Sequence, residues 1–265
     1  MNYKIIDFHT HPFTGDDTNI CEHIPHAHMS VENTKRDFLQ LGVEKICGSV
    51  VERVAYGKEK TFEHVRALND KALALRDLYE GFYVPGFHVH PNFVKESIAE
   101  IERMHKLGVN LIGELVPYRD GWQDYSCKEF SEILDAAEHY KMVVNFHSLV
   151  NRPEMEDEID EMVKNHKNVT FVAAHPGFLE HFLRHLKRME MSENYHLDLS
   201  GGAVYRHGTL RHGIDEFGAE RFLFGSDYPI CSPAFYVGGV ALDFLLSEEE
   251  KQKILYDNAC RILGI

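Results

Sequence analysis

Tyr3-Lys4-Ile5-Ile6-Asp7-Phe8-His9-Thr10-His11-Pro12 opens the chain as a short buried strand. Its apolar residues are mostly β-branched, and Pro12 cannot continue a hydrogen-bonded ladder. Side chains two apart on a strand point the same way, so His9 and His11 are expected on one face with Asp7, and Phe8 and Thr10 on the other. Two imidazoles then leave the end of a rigid element side by side, able to hold one cation. His-x-His alone is also what a histidine-rich chain produces by chance, and this chain has 18 histidines. The rest of the sequence decides between the two.

Downstream, apolar runs of strand length alternate with amphipathic segments of helical period. Ser30 can cap a helix that Gly42 ends, and the strand Val43–Val51 follows; Thr61–Glu80 is a long helix, followed by the strand Phe82–Val89. The beat repeats with helices near Val94–Leu107, Lys128–Tyr140, Glu154–Asn165, Leu179–Met189 and Thr209–Phe217. The strands between them are Val109–Val116, Met142–Phe146, Val169–Ala174, Tyr195–Leu199 and Arg221–Phe224. Ser247–Leu263 is read as one capped terminal helix. Eight strands, each followed by helix-bearing sequence, predict a parallel sheet covered on both faces, most simply closed as a (β/α)8 TIM barrel. With no Pro/Gly/Ser-rich linker, residues 1–265 are expected to form a single domain.

Composition bounds the function. With 44% hydrophobic and 26% charged residues the chain reads as globular, and its net charge of -14 disfavours nucleic acid and anionic lipid as partners. No apolar run approaches membrane-spanning length and the N-terminus enters a strand directly, so the expectation is a cytoplasmic protein, free to form a homo-oligomer. Five widely spaced cysteines without a CxxC pair are expected as reduced thiols. The polar stretch Phe13–Met29, with Asp16, Asp17, Cys21, His23, His26 and His28, reads as a lid or wall over a site.

In a barrel of this kind, functional groups gather where the strands end. The first strand ends in His9 and His11, the fourth carries Glu114, the fifth ends in His147, the sixth in His175 and the eighth in Asp227. Each of these alone is as well explained by an interior histidine or a helix cap; together they favour a metal site. Imidazole and carboxylate donors without thiolate suit Zn2+ first, with Mn2+, Fe2+ or Co2+ also compatible. Such an ion activates water, Asp227 is placed to take its proton, and His175 can polarise the attacked carbonyl. Tyr118, Arg119 and His88 lie closest to strand ends as substrate-binding candidates, and a basic mouth on an acidic chain would favour a small carboxylate-bearing substrate. Trp122 and Tyr125 could wall that pocket.

The spaced set His9-x-His11, His147, His175 and Gly225-Ser226-Asp227-Tyr228-Pro229 resembles the amidohydrolase superfamily, and within it the amidohydrolase 2 family of metal-dependent hydrolases and decarboxylases. Leu197-Asp198-Leu199-Ser200-Gly201 and the closing helix Ile254–Leu263 extend the resemblance over residues 4–264. It implies a distorted barrel with one or two divalent ions. His9 and His11 would bind the ion, His147 would bind it or a second one, His175 would be a ligand or orient the carbonyl, and Asp227 would bind the ion and shuttle a proton. Where many members carry a bridging lysine on the fourth strand, this chain has Glu114, which either bridges two ions, as a glutamate does in TatD-like nucleases, or pairs with a cation such as Arg119. The reaction expected is hydrolysis of an amide, lactone or other carbonyl bond. The alternatives are nonoxidative decarboxylation on the same frame, a TatD-like phosphoesterase, and a catalytically silent metal-binding barrel.

Overall fold

The apolar runs become eight parallel strands: β1 Ile5–Asp7, β2 Val43–Ser49, β3 Tyr83–Phe87, β4 Leu111–Leu115, β5 Val143–His147, β6 Thr170–Ala174, β7 Tyr195–Asp198 and β8 Phe222–Leu223. The structure, a computed structural model, describes residues 3–15, 18, 20, 30–53, 57–122, 124–149, 152–202 and 206–265. Asp16, Asp17, Cys21, His23, His26 and His28 lie outside the described residues. The strands pair in sequence order from β1 to β8. Just beyond its two end strands the sheet meets itself: Phe8 N–H donates to the Phe224 carbonyl at 2.9 Å, Asp227 N–H to His9 at 2.8 Å and His11 N–H to Tyr228 at 2.6 Å. The fold is a (β/α)8 barrel.

Between the strands run α1 Val31–Gln40, α2 Phe62–Leu78, α3 Val94–Lys106, the single turn α4 Pro117–Asp120, α5 Lys128–His139, α6 Met155–Asn165, α7 Leu179–Met191 and α8 Thr209–Phe217. After β8 come α9 Pro233–Ala241, α10 Glu248–Gln252 and α11 Asn258–Leu263. The Ser30 hydroxyl caps α1 by accepting the Asn33 N–H at 3.1 Å. Apolar helix faces pack on the outer strand residues, with Ile46, Phe87, Ile112, Phe146, Phe171 and Phe222 among those fully buried. Inward-facing Ile6, Cys47, Leu111, Val143, Val172 and Leu223 form a second cluster, to which α11 adds Ala259 and Leu263. Cys47, Cys127, Cys231 and Cys260 are free thiols.

Most strands are a residue or more shorter than the sequence reading at one or both ends, and two larger differences at the C-terminal end share one tertiary contact. The tail is not one helix: a π-helical turn, Lys253–Asp257, separates α10 from α11, and within it the Ile254 carbonyl accepts the Phe224 N–H at 2.9 Å. That bond also takes Phe224 out of the ladder, while Arg221 belongs to a 3-10 turn, so β8 is shorter than expected. Helix α9 went unread because Pro-Ala-Phe-Tyr-Val-Gly-Gly-Val-Ala has neither charge nor apolar period. No helix among the described residues is long and apolar enough to cross a membrane.

Candidate active site

Strand geometry delivers the side chains to one end of the barrel. His9 and His11 follow β1 with their Nε2 atoms facing each other at 3.3 Å. Asp7 does not join them, because its carboxylate accepts the N–H groups of Ser226 and His9 at 2.9 and 3.3 Å. Glu114 sits inside β4 after Gly113, whose φ of +94° and 2.0 Å clearance from a built Cβ to the Asn145 oxygen exclude any larger residue. His147 ends β5, where the Tyr125 hydroxyl holds its carbonyl at 2.8 Å. His175 and Asp227 follow β6 and β8 in the left-handed region, at φ +72° and +62°. A residue other than glycine is held there at a cost of order 1 kcal/mol, a cost usually met where a side chain must be aimed.

The six groups meet. Glu114 Oε2 stands 3.2 Å from His11 Nε2 and 3.6 Å from His9 Nε2, while Oε1 stands 2.9 Å from His147 Nδ1 and 3.3 Å from His175 Nε2. Asp227 Oδ1 lies 3.7 and 3.6 Å from the Nε2 atoms of His9 and His11, buried and without a hydrogen-bond partner. Donor atoms of His9, His11 and Asp227 fall within 4.8 Å of one another, as do those of Glu114, His147 and His175. The two oxygens of Glu114 thus divide the cluster into two halves, and a third trio, His9, His175 and Asp198, joins them. Arg119, the alternative partner for Glu114, instead donates to the carbonyls of Glu52 and Arg53.

Electrostatics follow from burying so many ionisable groups together. Burial disfavours the Glu114 carboxylate, but the facing histidines outweigh it and hold its pKa well below the usual carboxylate range. Burial likewise opposes a charged His9, yet Asp198 and Glu114 keep its pKa well above the ordinary imidazole value. Burial lifts Asp227 above the normal carboxylate pKa, with His175, His9 and His11 offsetting it only in part. Facing ring nitrogens and a buried carboxylate oxygen with no donor fit one or two divalent cations.

A cavity of about 270 Å³ opens over the cluster and is lined by His11, Glu114, His147, His175 and Asp227 together with Tyr118, Arg119, Ile230 and Cys231. Tyr118 is half-exposed and meets the His147 ring edge-on, with centroids 5.5 Å apart. His88 lies apart from this cavity: its Nε2 meets the Val50 carbonyl at 2.8 Å, and burial lowers its pKa to about 4, leaving a neutral structural ring. Trp122 and Tyr125 are buried against Phe130 and support the loop from beneath. Two participants escaped the sequence reading. Asp198 Oδ2 sits 2.8 Å from His9 Nδ1, and Ser200 Oγ sits 3.0 Å from His175 Nδ1. Their signal was the alternation His196, Asp198, Ser200, polar residues at every second position of an apolar strand.

Comparison with known proteins agrees with this frame. No curated protein matches the chain. Among solved structures, it superposes with a TM-score of 0.78 on a dihydroxybenzoic acid decarboxylase from a Polaromonas species holding manganese and the inhibitor 2-nitroresorcinol, at 14% identity over 99% of this chain and 97% of that one. A 5-carboxyvanillate decarboxylase from Novosphingobium aromaticivorans, also with manganese, gives 0.77 at 14% identity over 100% and 98%. A Rhizobium 2,6-dihydroxybenzoate decarboxylase gives 0.75 at 14% identity over 99% of both chains. These likenesses establish the barrel. A family model described as Amidohydrolase matches residues 6–265, nearly the whole chain, and the chain thus belongs to the amidohydrolase family, among the metal-dependent enzymes of that superfamily.

Proposed function

We propose that the protein is a hydrolase that uses one or two divalent ions, Zn2+ by donor preference, to cleave an amide, lactone or other carbonyl bond in a small carboxylate-bearing substrate. One observation carries the reading: the two oxygens of Glu114 face different histidine pairs, His9–His11 and His147–His175, an arrangement suited to holding one or two divalent ions. His9, His11 and Asp227 would hold an ion on one side, and Glu114, His147 and His175 on the other. When bound, a divalent ion there supplies Lewis acidity and makes water more acidic.

The protein's own groups do the rest. Asp227, whose pKa is raised by burial, holds a proton more readily than an ordinary carboxylate and would accept one from the attacking water and return it to the leaving group. Arg119 and Tyr118 line the same cavity and would receive a substrate carboxylate and wall the pocket.

The comparisons favour a second reading, nonoxidative decarboxylation of a small aromatic acid, since several similar structures are of decarboxylases. There Asp227 would give its proton to the carbon that loses CO2. Assays in H2 18O and, in parallel, D2O on a panel of lactones, amides and hydroxybenzoates separate the two. Incorporation of 18O without CO2 release supports hydrolysis; CO2 release with solvent hydrogen entering carbon selects the lyase.

A further inference from the structure

Beneath the cluster, Asp198 touches both halves. Its Oδ2 lies 2.8 Å from His9 Nδ1. Its Oδ1 accepts the hydroxyl proton of Ser200, and Ser200 Oγ lies 3.0 Å from His175 Nδ1. Backbone N–H groups of Ser200 and His175 also point at Oδ1, at 3.1 and 3.4 Å, and the Asn145 amide points at Oδ2 at 3.3 Å. The carboxylate is fully buried and is an acceptor in every one of these contacts.

The direction of each proton follows. Ser200 has one hydroxyl proton, and an acceptor-only carboxylate claims it. Ser200 Oγ can therefore only accept from the ring beside it, so His175 carries its proton on Nδ1. His9 must likewise carry a proton on Nδ1 to satisfy Asp198 Oδ2. With Nδ1 committed in this way, Nε2 is the nitrogen each ring turns toward Glu114, 3.6 Å away for His9 and 3.3 Å for His175, and the one each would offer to an ion. Outer partners of this kind fix the tautomer and orientation of histidine ligands, and their loss typically weakens metal binding about 10- to 100-fold.

We propose that Asp198 is a positioning residue that sets the tautomer of one histidine in each half of the cluster at once, directly for His9 and through Ser200 for His175. The inference rests on the metal-site reading above. Its consequence is asymmetric: Asp198 governs both halves, Ser200 only one. Asp198→Asn presents an amide N–H2 where an acceptor stood and disturbs both rings, whereas Ser200→Ala disturbs His175 and spares His9.

The test is histidine 15N spectroscopy of Zn2+-loaded protein, with calorimetric Zn2+ titration of chelator-treated protein. Wild type is expected to show His9 and His175 both protonated at Nδ1. Asp198→Asn should alter both rings and lower Zn2+ affinity about 10- to 100-fold, Ser200→Ala should alter the His175 ring alone, and Ser200→Thr, which keeps the hydroxyl, should restore it. Unchanged rings in Asp198→Asn, or Ser200→Ala affecting His9 as strongly as His175, would overturn the role. If Asp198→Asn fails to fold, the two Ser200 variants decide, because an unaltered His175 ring in Ser200→Ala contradicts the relay. A wild type that takes up no Zn2+ removes the metal reading itself; Zn2+ uptake with indifferent variants removes only the positioning role.

Discussion

His9→Ala deletes a ring that faces His11, Glu114 and Asp227, and Asp227→Asn removes the negative charge of the carboxylate oxygen that has no other donor. Each is expected to lower turnover by about a hundredfold or more, while far-UV dichroism and thermal unfolding report an intact barrel, because side chains at strand ends serve chemistry more than stability. Native turnover in either variant would count against their roles. Buried histidines outside the cluster behave differently. His196 is buried near Arg221 and Arg261, and its pKa falls to about 4. Since that value lies below the unfolded one, its contribution to stability is complete above about pH 6.5 and is lost as pH falls toward 4, a loss of about 2 kcal/mol between pH 7 and 5. Urea unfolding of His196→Gln should therefore show a shallower decline over that interval; an unchanged slope contradicts the buried neutral ring. The strand-end residues were legible because each closed an apolar run. Asp198 was less so: the polar alternation His196, Asp198, Ser200 marks a polar strand face, but only the neighbouring strands supply the partners that give its carboxylate a role.

At the scale of elements, α6 and α7 show how a charged residue can be built into the barrel wall. Arg188 on α7 is 1% exposed, donates through Nε to Asp160 at 2.7 Å, and through its guanidinium to the Glu156 carbonyl at 3.0 Å and to the Glu156 carboxylate. Both acids belong to α6 and remain partly exposed, which discounts the cost of leaving them unpaired. Arg188→Ala is expected to cost about 2–3 kcal/mol in a urea titration, more than an exposed ion pair is worth. A change under about 0.5 kcal/mol would mean that the pair contributes no more than a surface contact. Element identity was largely readable from period: runs such as Val-Val-Asn-Phe-His and Thr-Phe-Val-Ala-Ala can only be strands buried on both faces. The π-turn at Lys253–Asp257 was not readable, because the bond that holds Phe224 to Ile254 joins segments 30 residues apart that carry no local sign of it.

For the whole molecule, barrel closure converts six residues scattered from position 9 to 227 into one cluster. Sequence could place each at a strand end; only closure, through Phe8 with Phe224 and His9 with Asp227, brings the first and last of them together. His88, also just past a strand, ends elsewhere: its Nε2 meets the Val50 carbonyl at 2.8 Å. The direct measurement is an anomalous difference map at the zinc absorption edge, from crystals of protein purified without chelator and supplied with Zn2+. It should show a peak within about 2.3 Å of the Nε2 atoms of His9 and His11 and of an Asp227 oxygen, with a second beside Glu114, His147 and His175. A map empty at both positions under saturating Zn2+ would contradict the metal centre and every role assigned to these side chains.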